Sequence, residues 1–271
     1  MFVVKVPGVN SHLGSKGCEK AGNEILKFLK EVKFSNELGE QILLEKLDLE
    51  EIHLDNADLK LTNKLIYKNA LEIFETKPKT IFLGGDHSIS CSICKAFLDY
   101  SNENSREPCL IVFDAHPDCK IYNKKEDFFP ENRTWLRKLI EQGFPTNNIL
   151  LIGVRNLDKD EKEFLKSNQI RGISINSLLE NIEETCEIVM EFSDRKDLYL
   201  SLDIDVVDPV FAPGSENLEI GGLTSREFIY LIQRLNKIKH LRAIDLVEIN
   251  PLKDKGNLTV MLGAKILSEL I

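Results

Sequence analysis

The sequence predicts an α/β fold: a single domain, residues 1–271, with a mostly parallel sheet of about eight strands and helices on both faces. Strand-like and helix-like segments alternate along the chain, which is typical of parallel sheets covered by helices. The strand-like segments are nearly continuous apolar runs, as expected for strands buried on both faces. Acidic and histidine-bearing motifs follow three of these runs, and parallel sheets bind ligands at the carboxyl ends of their strands.

The apolar spacing places each element in turn. The first strand, 2–6, ends at Pro7-Gly8, and the first helix, 19–33, is amphipathic. A short second strand is expected at 42–47. The other predicted strands are 80–84, 110–114, 149–153, 171–174, 198–203 and 241–247, and the other predicted helices are 58–76, 88–100, 134–142, 159–168, 177–192, 225–235 and 258–270. Thr224 and Glu227 have the spacing of a capping box that begins the helix at 225.

Composition excludes several classes of protein. A hydrophobic fraction of 42% with 29% charged residues is that of an ordinary soluble protein. The net charge of −9 argues against a nucleic-acid partner, and no apolar run is long enough to span a membrane. Residues 1–7 lack a signal-peptide pattern, so we expect a cytoplasmic protein with six reduced cysteines, of which Cys119 is expected near the rim of the site.

The first motif with chemical potential is Asp114-Ala115-His116-Pro117-Asp118, directly after an apolar run. Alternate residues of an extended segment point to one side, so Asp114, His116 and Asp118 can converge on one metal ion. A solvated loop with a chance histidine is the alternative reading of this motif alone.

Two further motifs strengthen the metal hypothesis. Gly84-Gly85-Asp86-His87 follows a strand, and its paired glycines permit a tight turn that leaves His87 at the strand end. Asp203 and Asp205 follow another apolar strand and share one side of it. Together the three motifs supply two histidines and four aspartates.

Six such side chains are enough for two ions if some carboxylates bridge them, and paired ions about 3.5–4 Å apart are an established hydrolytic arrangement. Oxygen-rich ligation without thiolates favours Mn²⁺ or a similar hard ion over Zn²⁺, so two Mn²⁺ per chain are the expected cofactors. Four carboxylates nearly balance two dications, which suits a cationic substrate. The alternative is that these side chains are helix caps and surface carboxylates.

The three motifs in this order resemble those of the ureohydrolase family of arginases and agmatinases. The resemblance extends from about Val3 to the C-terminus and includes Ala212-Pro213-Gly214, Gly221-Gly222-Leu223-Thr224 and Asp245-Leu246-Val247-Glu248-Ile249-Asn250-Pro251. It implies an arginase-like three-layer fold and a metal-dependent hydrolase that releases urea and an amine from a linear guanidino compound. A deacetylase with one Zn²⁺ is disfavoured by the six-residue ligand set.

The resemblance also implies roles for single residues. His87, Asp114, Asp118 and Asp203 would hold one ion, and Asp114, His116, Asp203 and Asp205 the other, with Asp114 and Asp203 bridging. Asp118 would accept a proton from the attacking water. Glu248 matches the family's guanidinium-binding glutamate and would pair with two substrate N–H groups; a strand-end salt bridge is the alternative. Asp86 and Asp208 are expected in turns or around the ligands.

One position departs from the family pattern. The family usually has a His-Gly pair before the helix that begins here near Thr134, whereas this chain has Asn132-Arg133. Asparagine cannot protonate a leaving amine, and loss of a general acid costs on the order of 10²–10⁴ in rate. Asp118 or water could replace it, as could His12 or Glu131; otherwise the protein binds metal with little or no catalysis.

The sequence discriminates substrates only weakly. The segment after Asp118 lacks the polar pattern of arginases, which favours agmatine over arginine, whereas Lys120, Lys124 and Lys125 would suit a guanidino acid. The expected partners are a small cationic guanidino substrate and further copies of the chain. We read the charged loop 120–133 as a substrate-facing lid.

Overall fold

The computed structural model describes residues 2–10, 15–122 and 129–271. Eight strands form one sheet in these segments: β1 Phe2–Val6, β2 Asp48–Glu51, β3 Thr80–Gly84, β4 Pro108–Phe113, β5 Ile149–Val154, β6 Arg171–Ser174, β7 Asp197–Asp203 and β8 Leu241–Val247. Their order is β2-β1-β3-β8-β7-β4-β5-β6, and every pair of neighbours is parallel. The predicted fold class is confirmed.

Nine helices in the described segments cover the two faces of the sheet: α1 Ala21–Val32, α2 Leu59–Thr76, α3 Ile89–Glu103, α4 Trp135–Glu141, α5 Lys159–Ser167, α6 Ile175–Glu180, α7 Ile182–Phe192, α8 Ser225–Leu235 and α9 Leu258–Leu270. Alternate residues of β4 serve two separate cores. Ile111 and Phe113 pack with α1 and α6–α9, whereas Leu110 and Val112 pack with α2–α4. Among the described residues, no helix combines the length and apolarity that a membrane span requires.

Two predicted boundaries were wrong. The second strand is not at 42–47, where a 3-10 helix occupies Leu44–Lys46, but at β2, which lies at the sheet edge and is largely exposed. An exposed edge strand lacks the apolar run by which buried strands are recognised. The helix expected over 177–192 is two helices, because the Asn181 side chain accepts the Glu184 N–H and begins α7 as an N-cap. The capping box of Thr224 and Glu227 is confirmed.

The strand order explains how distant motifs meet. β3, β8, β7 and β4 are consecutive neighbours in the sheet although they are far apart in sequence. His87, Glu248 and Asp114 follow β3, β8 and β4, respectively, and Asp203 is the last residue of β7. Parallel strands place all four carboxyl ends at the same edge.

Close backbone approach, rather than an unusual dihedral angle, requires glycine at the end of β3. A Cβ on Gly85 would lie 2.0 Å from the carbonyl oxygen of Gly8, and one on Gly84 would lie 2.5 Å from the Ile89 side chain. The Gly85 carbonyl also accepts the Glu248 N–H at 2.9 Å. Gly85 therefore lets three loops meet next to His87.

We expect Gly85→Ala to lower the free energy of unfolding by about 1–3 kcal/mol, because the Gly8 backbone must move to admit the methyl group. Gly172→Ala is the matched control, since its Cβ would meet only the Leu151 carbonyl oxygen, at 3.7 Å. That control should change stability by about 0.5 kcal/mol or less. Denaturant unfolding of both variants tests the difference, and equal stability would contradict the packing argument.

Candidate active site

One imidazole nitrogen lies at the centre of the site. Nδ1 of His87 is 3.0 Å from Asp203 Oδ2, 3.1 Å from Asp114 Oδ2 and 3.2 Å from Asp118 Oδ2. The His87 side chain is fully buried, and the three carboxylates are nearly so. Four of the six predicted metal ligands therefore meet at one point.

A second cluster adjoins the first. Nδ1 of His116 is 2.9 Å from Asp205 Oδ2 and 3.5 Å from Asp114 Oδ1. Asp114 thus directs one oxygen to each histidine, which is the geometry expected of a bridging ligand. Asp203 directs Oδ2 to His87, while its Oδ1 accepts the Asp205 N–H at 2.8 Å. Bridging by Asp203 stays a prediction.

Crowded negative charge shifts the pKa of most of these groups. Burial and the charges of Asp205 and Asp118 raise the pKa of Asp114 to about 6. Burial and neighbouring aspartates raise the pKa of Asp203 well above its usual value. Burial alone would lower the pKa of His116, but its contacts with Asp114 and Asp205 raise it to about 12. Without a cation, this charge is balanced only by protons.

The arrangement of the candidate ligand atoms suits a bound cation better than it suits hydrogen bonds among these atoms. Nδ1 of His87 and Oδ2 of Asp114 are both buried, and neither makes a well-aligned hydrogen bond within the described residues. A single N–H can serve only one carboxylate, whereas a metal ion can accept electron pairs from all the surrounding atoms. Two ligand sets satisfy this requirement, His87-Asp114-Asp118 and Asp114-His116-Asp205. Their oxygen and nitrogen donors suit hard divalent ions.

Behind the first cluster, a buried hydrogen-bond chain orients the His87 ring. Its Nε2 lies 2.9 Å from Ser201 Oγ, and that hydroxyl donates to Asp245 Oδ1 at 2.8 Å. Ser90 and Tyr199 each donate to Asp245 Oδ2 at 2.7 Å. Such outer contacts fix the tautomer of a metal-binding histidine and thus direct Nδ1 toward the carboxylates.

The residues that orient His87 are only partly predictable from the sequence. Ser201 is two residues before Asp203 on β7, and strand alternation places both on one side. The role of Asp245 carried no such signal, because its four donors, including the Leu202 N–H, come from remote parts of the sequence.

Asp118 lies beyond β4 and has a left-handed backbone conformation, with φ of 48°. Its Oδ2 accepts the indole N–H of Trp135 at 3.0 Å. The carbonyl of Asp118 accepts the Leu136 N–H at 3.1 Å. The start of α4 therefore holds this ligand in place.

Glu248 adjoins the clusters with half of its carboxylate engaged. Oε1 accepts the backbone N–H of His87 at 2.8 Å, whereas Oε2 is buried and has no hydrogen-bond partner within the described segments. Burial, and then the charge of Asp86, raises the pKa of Glu248 well above its usual value. An unpartnered buried carboxylate oxygen is suited to a cationic N–H donor. The alternative of a strand-end salt bridge is not observed among the described residues.

The segment containing Asn132 lies next to Asp118, one of the candidate metal ligands. Lys120 N–H donates to the carbonyl of Arg133 at 3.0 Å, next to Asp118, and the Asn132 side chain is buried. Glu131 forms a turn with Thr134. His12, Lys124 and Lys125 lie outside the described residues, so the proposals that concern them stay predictions, as does the lid hypothesis for 120–133.

Two aspartates outside the candidate ligand set accept hydrogen bonds within turns. The cysteine at this edge of the sheet is buried. Asp86 accepts the N–H of Ser88, two residues further on, at 3.2 Å and the remote Asn10 N–H at 2.8 Å, and Asp208 accepts those of Val210 and Gly221 at 3.0 and 2.7 Å. Both are turn residues, as expected. Cys119 is not at an exposed rim but fully buried, and burial raises the pKa of its thiol.

A cavity of about 320 Å³ opens beside His116 and Asp118. Its described lining contains Asp118, Asp158, Glu161, Glu216 and Glu219, together with Lys120 and Arg133. Two of the lining charges are locally neutralised, because Lys120 Nζ is 2.6 Å from Asp158 Oδ2 and Lys253 Nζ is 2.7 Å from Glu216 Oε1. Carboxylates outnumber cations here, which favours a positively charged ligand.

Comparison with known proteins finds a matching family and related sequences. The family model described as "Arginase family" matches residues 1–271. The chain is 31% identical over 232 residues to an arginase of Staphylococcus aureus strain MRSA252, which covers 80% of this chain and 75% of the relative. It is 30% identical over 190 residues to an agmatinase of Bacillus subtilis strain 168, covering 70% of this chain and 61% of the relative.

The fold is similar to that of solved members. The crystal structure of formimidoylglutamase from Bacillus subtilis superposes with a TM-score of 0.88 at 25% identity, covering 99% of this chain and 84% of the other. The chain belongs to the arginase family, whose members are dinuclear, metal-dependent amidino hydrolases.

Proposed function

We propose that the protein uses two Mn²⁺ to hydrolyse a linear guanidino compound, releasing urea and an amine, and that agmatine is the favoured substrate. The observation that carries this proposal is the pair of ligand clusters joined by Asp114, with the unpartnered Oε2 of Glu248 next to them. Arginine and guanidino acids are the next candidates. The proposal treats residues 1–271 as one ureohydrolase-like domain, in a cytoplasmic homo-oligomer.

Each side chain has a distinct part in the proposal. His87, Asp114, Asp118 and Asp203 hold one ion, and Asp114, His116, Asp203 and Asp205 hold the other. A dinuclear divalent centre, when bound, lowers the pKa of water and so supplies a nucleophile at neutral pH. The carboxylate of Asp118 would serve as the proton acceptor beside this centre.

Glu248 orients the substrate. Its pKa is raised by burial, so its ionised form depends on a cationic partner. A guanidinium group supplies both the charge and the N–H donors that Oε2 lacks. Binding to Glu248 places the guanidinium carbon next to the candidate metal ligands and reduces the entropy cost of reaching the reactive geometry.

The cavity supports a substrate with a positively charged tail. Among the described residues that line it, Glu161 and Glu219 have no Lys or Arg within ion-pair distance, whereas Lys120 is paired with Asp158 and Glu216 with Lys253. Arg133 donates to Asn217 at 3.1 Å instead of to a carboxylate, and this contact is the feature that best supports a guanidino acid. The excess of carboxylates favours agmatine.

Slow or absent turnover is the second candidate, and Asn132 is the observation that favours it. The side chain is buried at the segment that contacts Asp118, and an amide cannot deliver a proton to a leaving amine. In that case the protein would bind metal with little catalytic activity.

The first prediction concerns substrate choice. With Mn²⁺ added, urea release from agmatine should exceed that from arginine and from 4-guanidinobutyrate by about tenfold or more in kcat/KM, equivalent to about 1.4 kcal/mol. Direct competition of the three compounds in one assay measures the preference. Equal rates would contradict a cavity that selects substrates by the charge of their tails. Urea release no greater than that of a metal-only blank would favour the non-catalytic alternative.

The second prediction concerns the ligands. Asp114→Asn and Asp203→Asn should weaken both ions because each is proposed to bridge, whereas Asp205→Asn should weaken mainly the ion at His116. Elemental analysis after dialysis against Mn²⁺ gives the stoichiometry. Asp99→Asn, in a surface pair with Lys95, is the control and should retain two ions.

Chelation of the parent protein should also lower its Tm, since ions that bind only the native state stabilise it by about 2.7 kcal/mol at 100 times Kd. Two tightly held ions in Asp203→Asn would show that Asp203 does not bridge.

The third prediction concerns proton delivery. Asn132→His combined with Arg133→Gly should raise kcat by up to about 10² with little change in KM, because a general acid acts mainly in the transition state. Arg133→Gly alone is the control for loss of the Asn217 contact. Steady-state kinetics and metal content should be measured together.

His12→Ala and Glu131→Gln test whether either residue already supplies the proton. If all these variants match the parent rate, protonation of the leaving group does not limit turnover.

A further inference from the structure

The chain has one tryptophan, Trp135, and it lies against two of the proposed ligands. Its indole N–H donates to Asp118 Oδ2 at 3.0 Å. Its ring centroid is 4.6 Å from that of His87, with the two planes tilted by 37°. The side chain is fully buried.

Asp118 depends on α4 for its position, because β4 ends at Phe113. Besides the indole contact, three hydrogen bonds join 118–120 to 133–137: Leu136 N–H to the Asp118 carbonyl at 3.1 Å, Lys120 N–H to the Arg133 carbonyl at 3.0 Å, and Arg137 Nε to the Cys119 carbonyl at 2.7 Å. These bonds fix the backbone. Within the described part of 118–137, the indole N–H is the donor that reaches the carboxylate itself.

The chemistry of the indole group suits this task. Its N–H is a donor only and stays neutral, so it orients a carboxylate without competing with a metal ion for charge. Oδ2 of Asp118 is also 3.2 Å from Nδ1 of His87, which places it at the ligand cluster. Loss of the donor would leave the carboxylate free to rotate about its terminal bond.

We propose that Trp135 is a positioning residue for the metal centre: its N–H sets the orientation in which Asp118 presents its carboxylate, while its ring covers the His87 imidazole. This inference rests on the proposed metal centre. Partners of metal ligands at this distance typically contribute about 10–100-fold to metal affinity.

Global replacement of tryptophan tests the N–H alone, because only residue 135 changes. In a tryptophan-auxotrophic host, β-(3-benzothienyl)alanine keeps the two-ring shape but replaces the N–H with sulfur. 4-Fluorotryptophan keeps the N–H and is the matched control. Calorimetric titration with Mn²⁺ and electron paramagnetic resonance then measure the affinity and coupling of the two ions.

We expect the benzothienyl protein to bind one of the two ions about 10–100-fold more weakly, with the 4-fluorotryptophan protein equal to the parent. The Tm of the metal-free benzothienyl protein should fall, because a buried hydrogen bond to a carboxylate is lost. Trp135→Phe should show the same loss of affinity. Phe144→Leu, which removes buried aromatic area from the same core without touching a ligand, should retain both affinities.

The outcomes separate the two proposals. If the parent binds two ions and both the benzothienyl protein and the Trp135→Phe variant bind them equally well, Trp135 has no positioning role. If the parent binds no Mn²⁺, the metal centre itself is wrong and the inference fails with it. Bound Mn²⁺ is paramagnetic and should decrease the fluorescence of Trp135 in the parent protein if the ion lies close to the ring. No decrease in fluorescence would count against this proximity.

Discussion

The concentration of negative charge around two imidazoles is the constraint on which the rest of the site depends. Asp114, Asp118 and Asp203 approach one nitrogen of His87 within 3.2 Å, in a region with almost no solvent. Buried like charges repel strongly because the surroundings screen them poorly. Cations or protons must therefore balance them. The parallel sheet makes the cluster possible, since it fixes β3, β7 and β4 with their carboxyl ends at one edge before any ion binds.

Hydrogen bonds outside the ligand clusters join this edge of the sheet to the loop above it. Nη2 of Arg155 donates to the carbonyls of Asp205 and Glu219 at 2.7 and 2.8 Å, and its Nε donates to that of Ile220 at 3.2 Å. The guanidinium group thus ties a ligand-bearing strand end to the segment that lines the cavity. A Cβ on Gly222 would lie 2.6 Å from the Val206 carbonyl oxygen and 2.7 Å from the Asp208 backbone nitrogen, which accounts for glycine at that position. Asp245 has the corresponding role beneath His87.

The sequence predicted those parts of the fold and site that follow from repeating local patterns. The acidic and histidine motifs after three of the strands meet in two candidate ligand clusters, and the apolar pattern identified the buried strands. It failed for β2 because an exposed edge strand has no apolar face, and at Asn181 because a single capping residue divides two helices. Trp135 and Asp245 were missed because their partners are remote in sequence. No periodicity relates Trp135 to Asp118, 17 residues away.

The candidate metal ligands and the position expected to deliver a proton have separate structural origins in this chain. Most proposed ligands follow strand ends directly, so the sheet fixes their positions. Asn132 instead lies in a segment whose placement depends on hydrogen bonds between 118–120 and 133–137. A substitution in this segment can remove a proton donor and leave most of the ligand cluster intact, because strand pairing does not depend on it. A complete set of candidate ligands is therefore compatible with either fast or slow turnover, and a proton donor in the segment next to Asp118 would distinguish the two cases.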